Sequence, residues 1–357
     1  GSTNSFVGLS FSSVASPYVT WEIATKNDLG VDLSLFNERF LATVDYFNER
    51  RDGIYMERKY LPSMVGLGSN PSANVGAVKS KGFDGNFTYK QSIGNVNLTV
   101  RGNITYSKNE VLEKDEENKV YKYQREEGYR VEQNKGLIAL GLFKDYDDIR
   151  NSPTQTYGTY QPGDIKYKDV NGDGIVDDGD KVAIGSTTKP NLVYGLGASG
   201  SWKGLDLNIH FQGSGKSTYF IYGKCVYAFS EGEWGVPFKG LLEDRWISAD
   251  ISGNPATENS NASYPRLSYG GNNNNQQNST FWLRNGSYLR LKTVEIGYTI
   301  PKSIINKIHL NNVRVFVTGS NLLTWSDFKL WDPEIGDPRG EKYPLTKSLT
   351  LGMSVNL

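Results

Sequence analysis

Hydrophobic and polar residues alternate along several stretches of the chain with a period of two residues. In residues 96–106 the apolar side chains occupy every second position, and asparagine, threonine and arginine occupy the positions between them. Residues 192–199, 205–212 and 349–357 repeat this pattern. Such alternation is typical of β-strands with one apolar and one polar face.

Five weaker stretches bring the expected number of strands to nine. They cover residues 29–35, 40–47, 83–89, 289–300 and 313–322. The stretch 289–300 changes the parity of its apolar positions near Thr293, which predicts a β-bulge. Several of these stretches are long enough to cross a membrane as tilted strands.

The connections between the expected strands alternate between short and long. Short connections cover 36–39, 91–95, 202–204 and 301–312, and long ones cover 50–80, 107–190, 213–287 and 323–347. Outer-membrane barrels have short periplasmic turns and long extracellular loops, whereas soluble β-sandwiches have loops of mixed length at both ends. The sequence therefore predicts an all-β, transmembrane antiparallel β-barrel, with long loops outside the cell and the C-terminus in the periplasm.

An odd number of strands indicates that this barrel is not complete. Bacterial single-chain barrels have even strand numbers, and an open sheet would leave two unpaired edges in lipid. The chain also starts at Gly1 without an initiator methionine, as expected of a processed or partial protein. Residues 1–357 are therefore expected to be the C-terminal part of a larger barrel.

Composition excludes some classes of function. The chain has 39 basic and 39 acidic residues, so its balanced charge offers no basic surface for nucleic acid. A mean hydropathy of -0.50 together with 22 tyrosines suits a β-protein with one polar face. No apolar run reaches the roughly eighteen residues of a membrane helix, and the single cysteine excludes an intramolecular disulfide.

The sequence shows no set of residues that is typical of an enzyme. Its only histidines are His210 and His309, and no Ser-His-Asp arrangement, zinc spacing or phosphate-binding glycine loop is present. The chain is therefore expected not to be an enzyme. Polar residues on the inward face of two strands are candidates to line a substrate path instead. These candidates are Arg101, Asn103, Asp206, Asn208 and His210.

Residues 168–181 read KDVNGDGIVDDGDK and match the spacing of a calcium-binding loop. The expected ligands, at positions 1, 3, 5, 7, 9 and 12, are Asp169, Asn171, Asp173, the carbonyl of Ile175, Asp177 and Asp180. Gly174 permits the sharp turn, whereas Asp180 is shorter than the usual glutamate. The sequence predicts a structural calcium ion that braces a long loop. The alternative is an Asx-rich turn without metal.

Two features of the long loops have simple explanations. The asparagine- and glutamine-rich run GGNNNNQQNST at 270–280 predicts a mobile or solvated loop. Five tryptophans in or beside the loops are expected to pack the loops internally, with stacking on a ligand as the alternative. These are Trp234, Trp246, Trp282, Trp325 and Trp331.

Three segments resemble the SusC/RagA-type TonB-dependent outer-membrane transporters of Bacteroidetes. Residues 163–215, from GDIKYKDVNGDG to HFQGSG, and residues 287–336, from SYLRLKTVEIGY to WDPEIG, carry the most specific resemblance. Residues 21–55 match the family's succession of strand, tight turn and strand. The ending TLGMSVNL also resembles the assembly signal of outer-membrane barrels, although Leu357 stands where phenylalanine is more usual.

This resemblance implies a barrel of 22 strands, of which these would be the last nine, with an N-terminal plug that this chain lacks. It also implies a SusD-like surface lipoprotein as a lid, energy from the TonB complex, outer-membrane lipid around the barrel, and oligosaccharides or peptides as substrates. Two alternatives remain open at this point. One is a passive porin or adhesion barrel, and the other is a soluble calcium-binding β-module that recognises glycans.

Overall fold

The computed structural model describes residues 14–16, 18–59, 69–230, 237–305 and 310–356, so Trp234, His309 and Leu357 lie outside the described residues. In chain order the strands are β1 (Ile23–Leu35), β2 (Phe40–Glu57), β3 (Ser72–Ile93), β4 (Val96–Glu113), β5 (Lys135–Gly136), β6 (Ala139–Leu142), β7 (Thr154–Gln155), β8 (Ile165–Tyr167), β9 (Ile175–Val176), β10 (Val182–Ala183), β11 (Leu192–Trp202), β12 (Leu205–Gly215), β13 (Thr218–Phe220), β14 (Leu283–Asn285), β15 (Tyr288–Thr299), β16 (Asn312–Ser326) and β17 (Ser348–Asn356).

In the described part of the chain, four short α-helices lie between these strands. They are α1 (Tyr146–Arg150), α2 (Lys239–Glu243), α3 (Ala249–Ser252) and α4 (Lys302–Ile305). Within the described part of the chain, no helix has the length and apolar character needed to cross a membrane.

Nine strands form one large antiparallel sheet in the order β1-β2-β3-β4-β11-β12-β15-β16-β17. Each of these strands pairs with the sheet strand that precedes it in the chain, and this confirms the nine strands predicted from alternation. The prediction was wrong about the ends of β2, β3 and β4, because residues 51–57, 72–80 and 107–113 are strand and not loop. Backbone pairing with a neighbouring strand extends a strand even where the sequence is too polar to show clear alternation.

A β-bulge interrupts β15 at the predicted place. His210 of β12 pairs with Thr293, whereas the next residue, Phe211, pairs with Leu291. The pairing therefore skips Lys292, and the register between β15 and β16 shifts at the same position. The extra residue returns the apolar side chains of β15 to the same face on both sides of the bulge, which explains the change of parity in the sequence.

The sheet has one apolar and one polar face, as the alternation predicted. Directly opposite residues share a face, so the pairing of Leu196 with Gly102 and Phe211 continues one apolar face across three strands. This face remains exposed at its edge strand, where Leu349 and Leu351 have relative exposures of 75% and 76%. A large apolar surface in contact with solvent is a mark of an interface with lipid or protein.

The chain divides into two compact units. The first contains residues 1–29, 46–83 and 107–131, and the second contains residues 30–45, 84–106 and 132–357. In the described part of the first unit, a salt bridge of 2.9 Å joins Arg58 to Asp115. The backbone of Val111 also exchanges hydrogen bonds of 2.8 and 2.9 Å with Tyr129 and Gly128. The charged segment after β4 therefore folds back along this strand.

The hydrophobic core of the second unit lies in the long connections and not in the large sheet. Its buried members are Leu137, Ile165, Tyr167, Val176, Tyr219, Ile221, Val226, Leu241, Trp282 and Phe328. Trp282 has an exposure of 2%, and Trp246 is also buried, which confirms internal packing for these two tryptophans. Trp325, in contrast, belongs to β16 and is about half exposed. Segments far apart in the chain thus form one packed layer.

The asparagine-rich run is part of this packed layer, so the prediction of a mobile or solvated loop was wrong. Asn274 is fully buried and Asn275 is 5% exposed. The Asn275 side chain accepts a hydrogen bond of 2.8 Å from the backbone of Ile165 and donates one of 2.8 Å to Asp164. Asn274 donates to the carbonyl of Ile165 at 2.9 Å. Buried amide side chains are stable here because their polar atoms have partners.

Candidate functional site

The five residues expected to line a substrate path lie together on the polar face of the sheet. Arg101 and His210 stand directly opposite Gly197 from the two neighbouring strands, β4 and β12. Asn103 stands opposite Gly195 in the same way. Asp206, Asn208 and His210 alternate along β12 and therefore share one face. The structure thus brings all five together, and their role in transport stays a prediction.

Two glycines of β11 make room for these side chains. A Cβ atom on Gly195 would lie 2.5 Å from Oδ1 of Asn103, and a Cβ atom on Gly197 would lie 3.1 Å from Nε of Arg101. The side chains of Asn103 and Arg101 therefore lie across the strand between them. A larger residue at either glycine would force these side chains to move.

An ion cluster on the same face was not predicted from the sequence. Nη2 of Arg314 lies 2.5 Å from Oδ1 of Asp206 and 2.6 Å from Oε1 of Glu295, so one cation joins β12, β15 and β16. Thr318 donates a hydrogen bond of 2.7 Å to Glu295. The alternation indicated that Arg314 lies on the polar face, because Arg314 stands between two apolar residues of a predicted strand. The partners were not recognisable, because they come from other strands.

Arg101 and His210 have fewer or longer hydrogen bonds than the members of the ion cluster. Arg101 donates one long hydrogen bond of 3.3 Å to Asn208. Nδ1 of His210 is buried and has no hydrogen-bond partner in the described part of the chain. Asp206 is held by Arg314, whereas Arg101 and His210 keep donor or acceptor capacity. The side chain of Arg101 is therefore less constrained than that of Asp206.

The calcium-like segment folds as a turn stabilised by its own hydrogen bonds. The two carboxylate oxygens of Asp169 accept hydrogen bonds from the backbone of Gly172 at 2.6 Å and Gly174 at 2.8 Å. Asp173 accepts one of 2.8 Å from the backbone of Ile175. Asn171 donates a hydrogen bond of 2.9 Å from its amide nitrogen to the Asp173 carboxylate, and its amide oxygen accepts one of 3.0 Å from the backbone of Asp173. These contacts are typical of Asx-turns.

Asp180 joins the beginning of this turn to its end. It is fully buried, and its oxygens accept hydrogen bonds from the backbone of Val170 at 2.6 Å and of Asp177 at 2.9 Å. Among the described residues, no three acidic, histidine or cysteine side chains gather as they would around a metal ion. Calcium binding by this segment stays a prediction.

Tyr157 connects this turn to the neighbouring loop. Its hydroxyl group donates a hydrogen bond of 3.1 Å to Asp178, and Lys181 lies 5.5 Å from the centre of its ring. Burial of the hydroxyl group, with the nearby charge of Asp178, raises the pKa of Tyr157. The ammonium group of Lys181, 2.7 Å away, lowers the pKa of Asp178. The tyrosine is therefore a neutral donor at physiological pH.

Comparisons with known proteins identify relatives of the whole chain. No protein-family model matches it. TonB-dependent receptor P26 of Formosa agariphila is 29% identical over 98% of this chain and 36% of its own length. TonB-dependent receptor SusC of Bacteroides thetaiotaomicron is 22% identical over 94% of this chain and 32% of its own length. This chain is similar to the SusC-like TonB-dependent receptors over nearly its whole length.

Solved structures show the same fold. The structure of the RagAB peptide transporter superposes with a TM-score of 0.72 and 22% identity, over 94% of this chain and 36% of that chain. At this identity the likeness shows a shared fold. The chain spans about a third of the length of the relatives it matches.

Proposed function

We propose that this chain forms the last nine strands of an outer-membrane transporter that imports oligosaccharides or peptides. The large sheet carries the proposal, because its exposed apolar face suits lipid and its opposite face carries a connected set of polar and charged residues. The similarity to TonB-dependent receptors over nearly the whole chain supports it. In this proposal the polar face lines the lumen.

The long connections are proposed to lie outside the cell, where they capture the substrate. Their packed core supports this role, because a binding surface needs a rigid base. The substrate would then pass along the polar face near Arg101, Asn103 and His210. The ion cluster around Arg314 would hold the wall of this path in place, because its members come from three adjacent strands.

The partners are proposed by analogy with the relatives. A plug and earlier strands from the same transporter, a SusD-like surface lipoprotein as a lid, and energy supplied through TonB would complete the importer. The relatives that support these partners are named TonB-dependent receptors, and one structural neighbour is a peptide transporter called RagAB. In this proposal residues 1–357 form the C-terminal part of the barrel.

Uptake by cells tests this proposal. Cells that produce the full transporter containing this chain would be supplied with labelled neutral oligosaccharides or with labelled peptides. We expect energy-dependent uptake of one class that disappears when either the transporter or TonB is removed. Uptake that persists without TonB would favour the passive barrel. A native protein that stays monodisperse without detergent, lipid or a companion chain would contradict the barrel itself and favour the soluble module.

A further inference from the structure

The apolar face of the large sheet becomes aromatic towards the end that carries the long connections. One row of directly opposite residues is apolar throughout and consists of Leu196, Phe211, Leu291 and Leu323. The next row towards the long connections consists of Tyr194, Gly213, Leu289 and Trp325. Aromatic side chains on the outer face of a membrane barrel lie at the level of the lipid head groups. In the proposed barrel, the Tyr194 row therefore lies at this level.

A depression with a volume of about 420 Å³ opens at the Tyr194 row. Its lining includes the aromatic residues Tyr194 and Trp325 and the charged residues Asp327 and Lys329. The Tyr194 ring lies across β12, because a Cβ atom on Gly213 would lie 2.5 Å from the Tyr194 hydroxyl oxygen. Pockets that bind small ligands have volumes of about 300–1,000 Å³. This rim depression is therefore large enough for the head group of a lipid.

A lysine at the same end of the sheet is held over the same face. Lys216 follows the last residue of β12, and its ammonium group lies 4.8 Å from the centre of the Tyr106 ring. Tyr106 stands opposite Leu192, which is two residues from Tyr194 on β11 and shares its face. Lys216 has a φ of +55°, a left-handed conformation that lysine rarely adopts, and Ser186 donates a hydrogen bond of 2.8 Å to its carbonyl. The positive charge is therefore fixed at the edge of the aromatic row.

The surface at and beside the rim depression carries more positive than negative charge. Among the described residues, neither Lys216 nor Lys329 forms a salt bridge. Asp327 is the acidic residue of the lining, and it accepts a hydrogen bond of 3.0 Å from Asn285. Lysines at a membrane surface attract anionic lipid head groups. Charge therefore favours an anion over a neutral or cationic ligand.

The neighbouring apolar row indicates that this anion belongs to a lipid. Leu196 has an exposure of 48% and Leu323 one of 51%. The ring of Trp325 is 6.3 Å from that of Phe211, so the aromatic surface continues into the apolar row. A free anion would leave this apolar surface uncovered, whereas the acyl chains of a lipid would bury it.

We propose that the rim depression binds the anionic phosphate group of a membrane lipid, whose acyl chains lie on the row of Leu196 and Leu323. Lys216 and Lys329 pair with the phosphate. Tyr194 and Trp325 pack against the part of the head group that lies next to the chains. The proposal rests on the proposed function for the membrane around the sheet, and it is independent of the imported substrate.

Lipid retention by the purified full transporter, with its native companion chains in detergent, tests the proposal. The probes are phosphatidylglycerol, which has a net negative head group, phosphatidylcholine with the same acyl chains, and inorganic phosphate. Lys329→Gln removes one positive charge, and Lys216→Asn removes the other with a residue that tolerates a left-handed backbone. Asp327→Asn removes the opposing charge. Lys342→Gln, at an exposed lysine outside the lining, is the matched control.

Native mass spectrometry should show that the wild type and the control retain phosphatidylglycerol in preference to phosphatidylcholine. Each of the variants Lys329→Gln and Lys216→Asn should bind phosphatidylglycerol about fivefold more weakly, and Asp327→Asn should bind it more tightly. Equal retention of the two lipids, unchanged binding in the two lysine variants, or inorganic phosphate bound as tightly as the lipid would overturn the proposal.

Failure of this proposal is distinguishable from failure of the proposed function. A native protein that is monodisperse without detergent, lipid or a companion chain would contradict the barrel and remove the membrane on which the proposal rests. A stable barrel that retains phosphatidylglycerol no better than phosphatidylcholine would contradict the lipid site alone. If phosphatidylglycerol is retained as expected but uptake does not require the transporter, the lipid site stands and the import function fails.

Discussion

Nη2 of Arg290 lies 2.5 Å from Oδ1 of Asp332, and only 1% of the arginine side chain is exposed. Arg290 belongs to β15, whereas Asp332 precedes the short 3-10 helix Pro333–Ile335. Glu334 approaches the same guanidinium group at 3.4 Å. The pair therefore attaches the last long connection of the chain to the sheet.

Removal of the carboxylate of Asp332 should strongly destabilise this attachment. Asp332→Ala leaves a buried guanidinium with only the more distant Glu334, and loss of one partner of a buried pair costs about 3–5 kcal/mol. The urea midpoint of the full protein in detergent, together with hydrogen exchange of residues 327–347, measures the effect. The exposed Asp327→Ala is the control, and the double variant R290M/D332A should recover part of the loss. An unchanged midpoint in Asp332→Ala would contradict this role.

Adjacent asparagines of the run 270–280 should respond differently to substitution. Asn275→Ala leaves the backbone N–H of Ile165 without its partner and removes one of the hydrogen bonds to the buried Asp164, which costs about 1–3 kcal/mol. Asn273→Ala, at an exposed position, should change stability by less than about 0.5 kcal/mol. Hydrogen exchange of residues 161–167 compares the two variants. Equal hydrogen exchange in the two variants would mean that the asparagine-rich run is solvated.

The ion cluster of the polar face should matter more for stability than Arg101. Arg314→Ala leaves Asp206 and Glu295 near each other without their cation, and hydrogen bonds to charged groups contribute about 1.5–3 kcal/mol. Arg101→Ala removes one long hydrogen bond and should be nearly neutral. Urea denaturation in detergent micelles compares both with the wild type. A smaller loss in Arg314→Ala than in Arg101→Ala would disprove the bracing role.

Acid should loosen the connection between α1 and β8. Lys166 lies 2.7 Å from Asp148 and lowers the pKa of this carboxyl group below its usual 3.8. The stabilisation is therefore present above about pH 4 and is lost as the pH falls through the lowered pKa. Pepsin cleavage near residues 144–150 between pH 4 and pH 2 should increase in the wild type. Lys166→Gln should already be cleaved faster at pH 4, whereas the exposed Arg150→Gln should match the wild type.

The turn at residues 169–180 should keep its fold without calcium, because hydrogen bonds from backbone N–H groups hold its carboxylates in place. Asp180→Ala, which removes the bridge to Val170 and Asp177, should raise hydrogen exchange throughout the turn. Asp178→Ala, on the exposed side, should have a small effect. Chelator should leave the wild-type exchange unchanged. Stoichiometric calcium in elemental analysis, with loss of protection after chelation, would instead support the ion predicted from the sequence.

Local patterns were sufficient to predict the large sheet. Alternation gave its nine strands and both faces, and the change of parity near Thr293 located the bulge. The five candidate path residues were grouped correctly on one face for the same reason. The extensions of β2, β3 and β4 were missed, because pairing with a neighbour, and not residue type, continues those strands.

The sequence by itself determined the antiparallel sheet, because the side chains of a strand alternate between faces whatever lies around them. Only the tertiary structure decided which side chains of the long connections are buried and which are solvated. Asn275 and Asp164 are 111 residues apart, and Arg314 and Asp206 are 108 apart, yet each pair forms hydrogen bonds. An asparagine is solvated or buried according to the partners that folding brings to it. Local composition therefore predicted a solvated loop where the folded chain has a buried network.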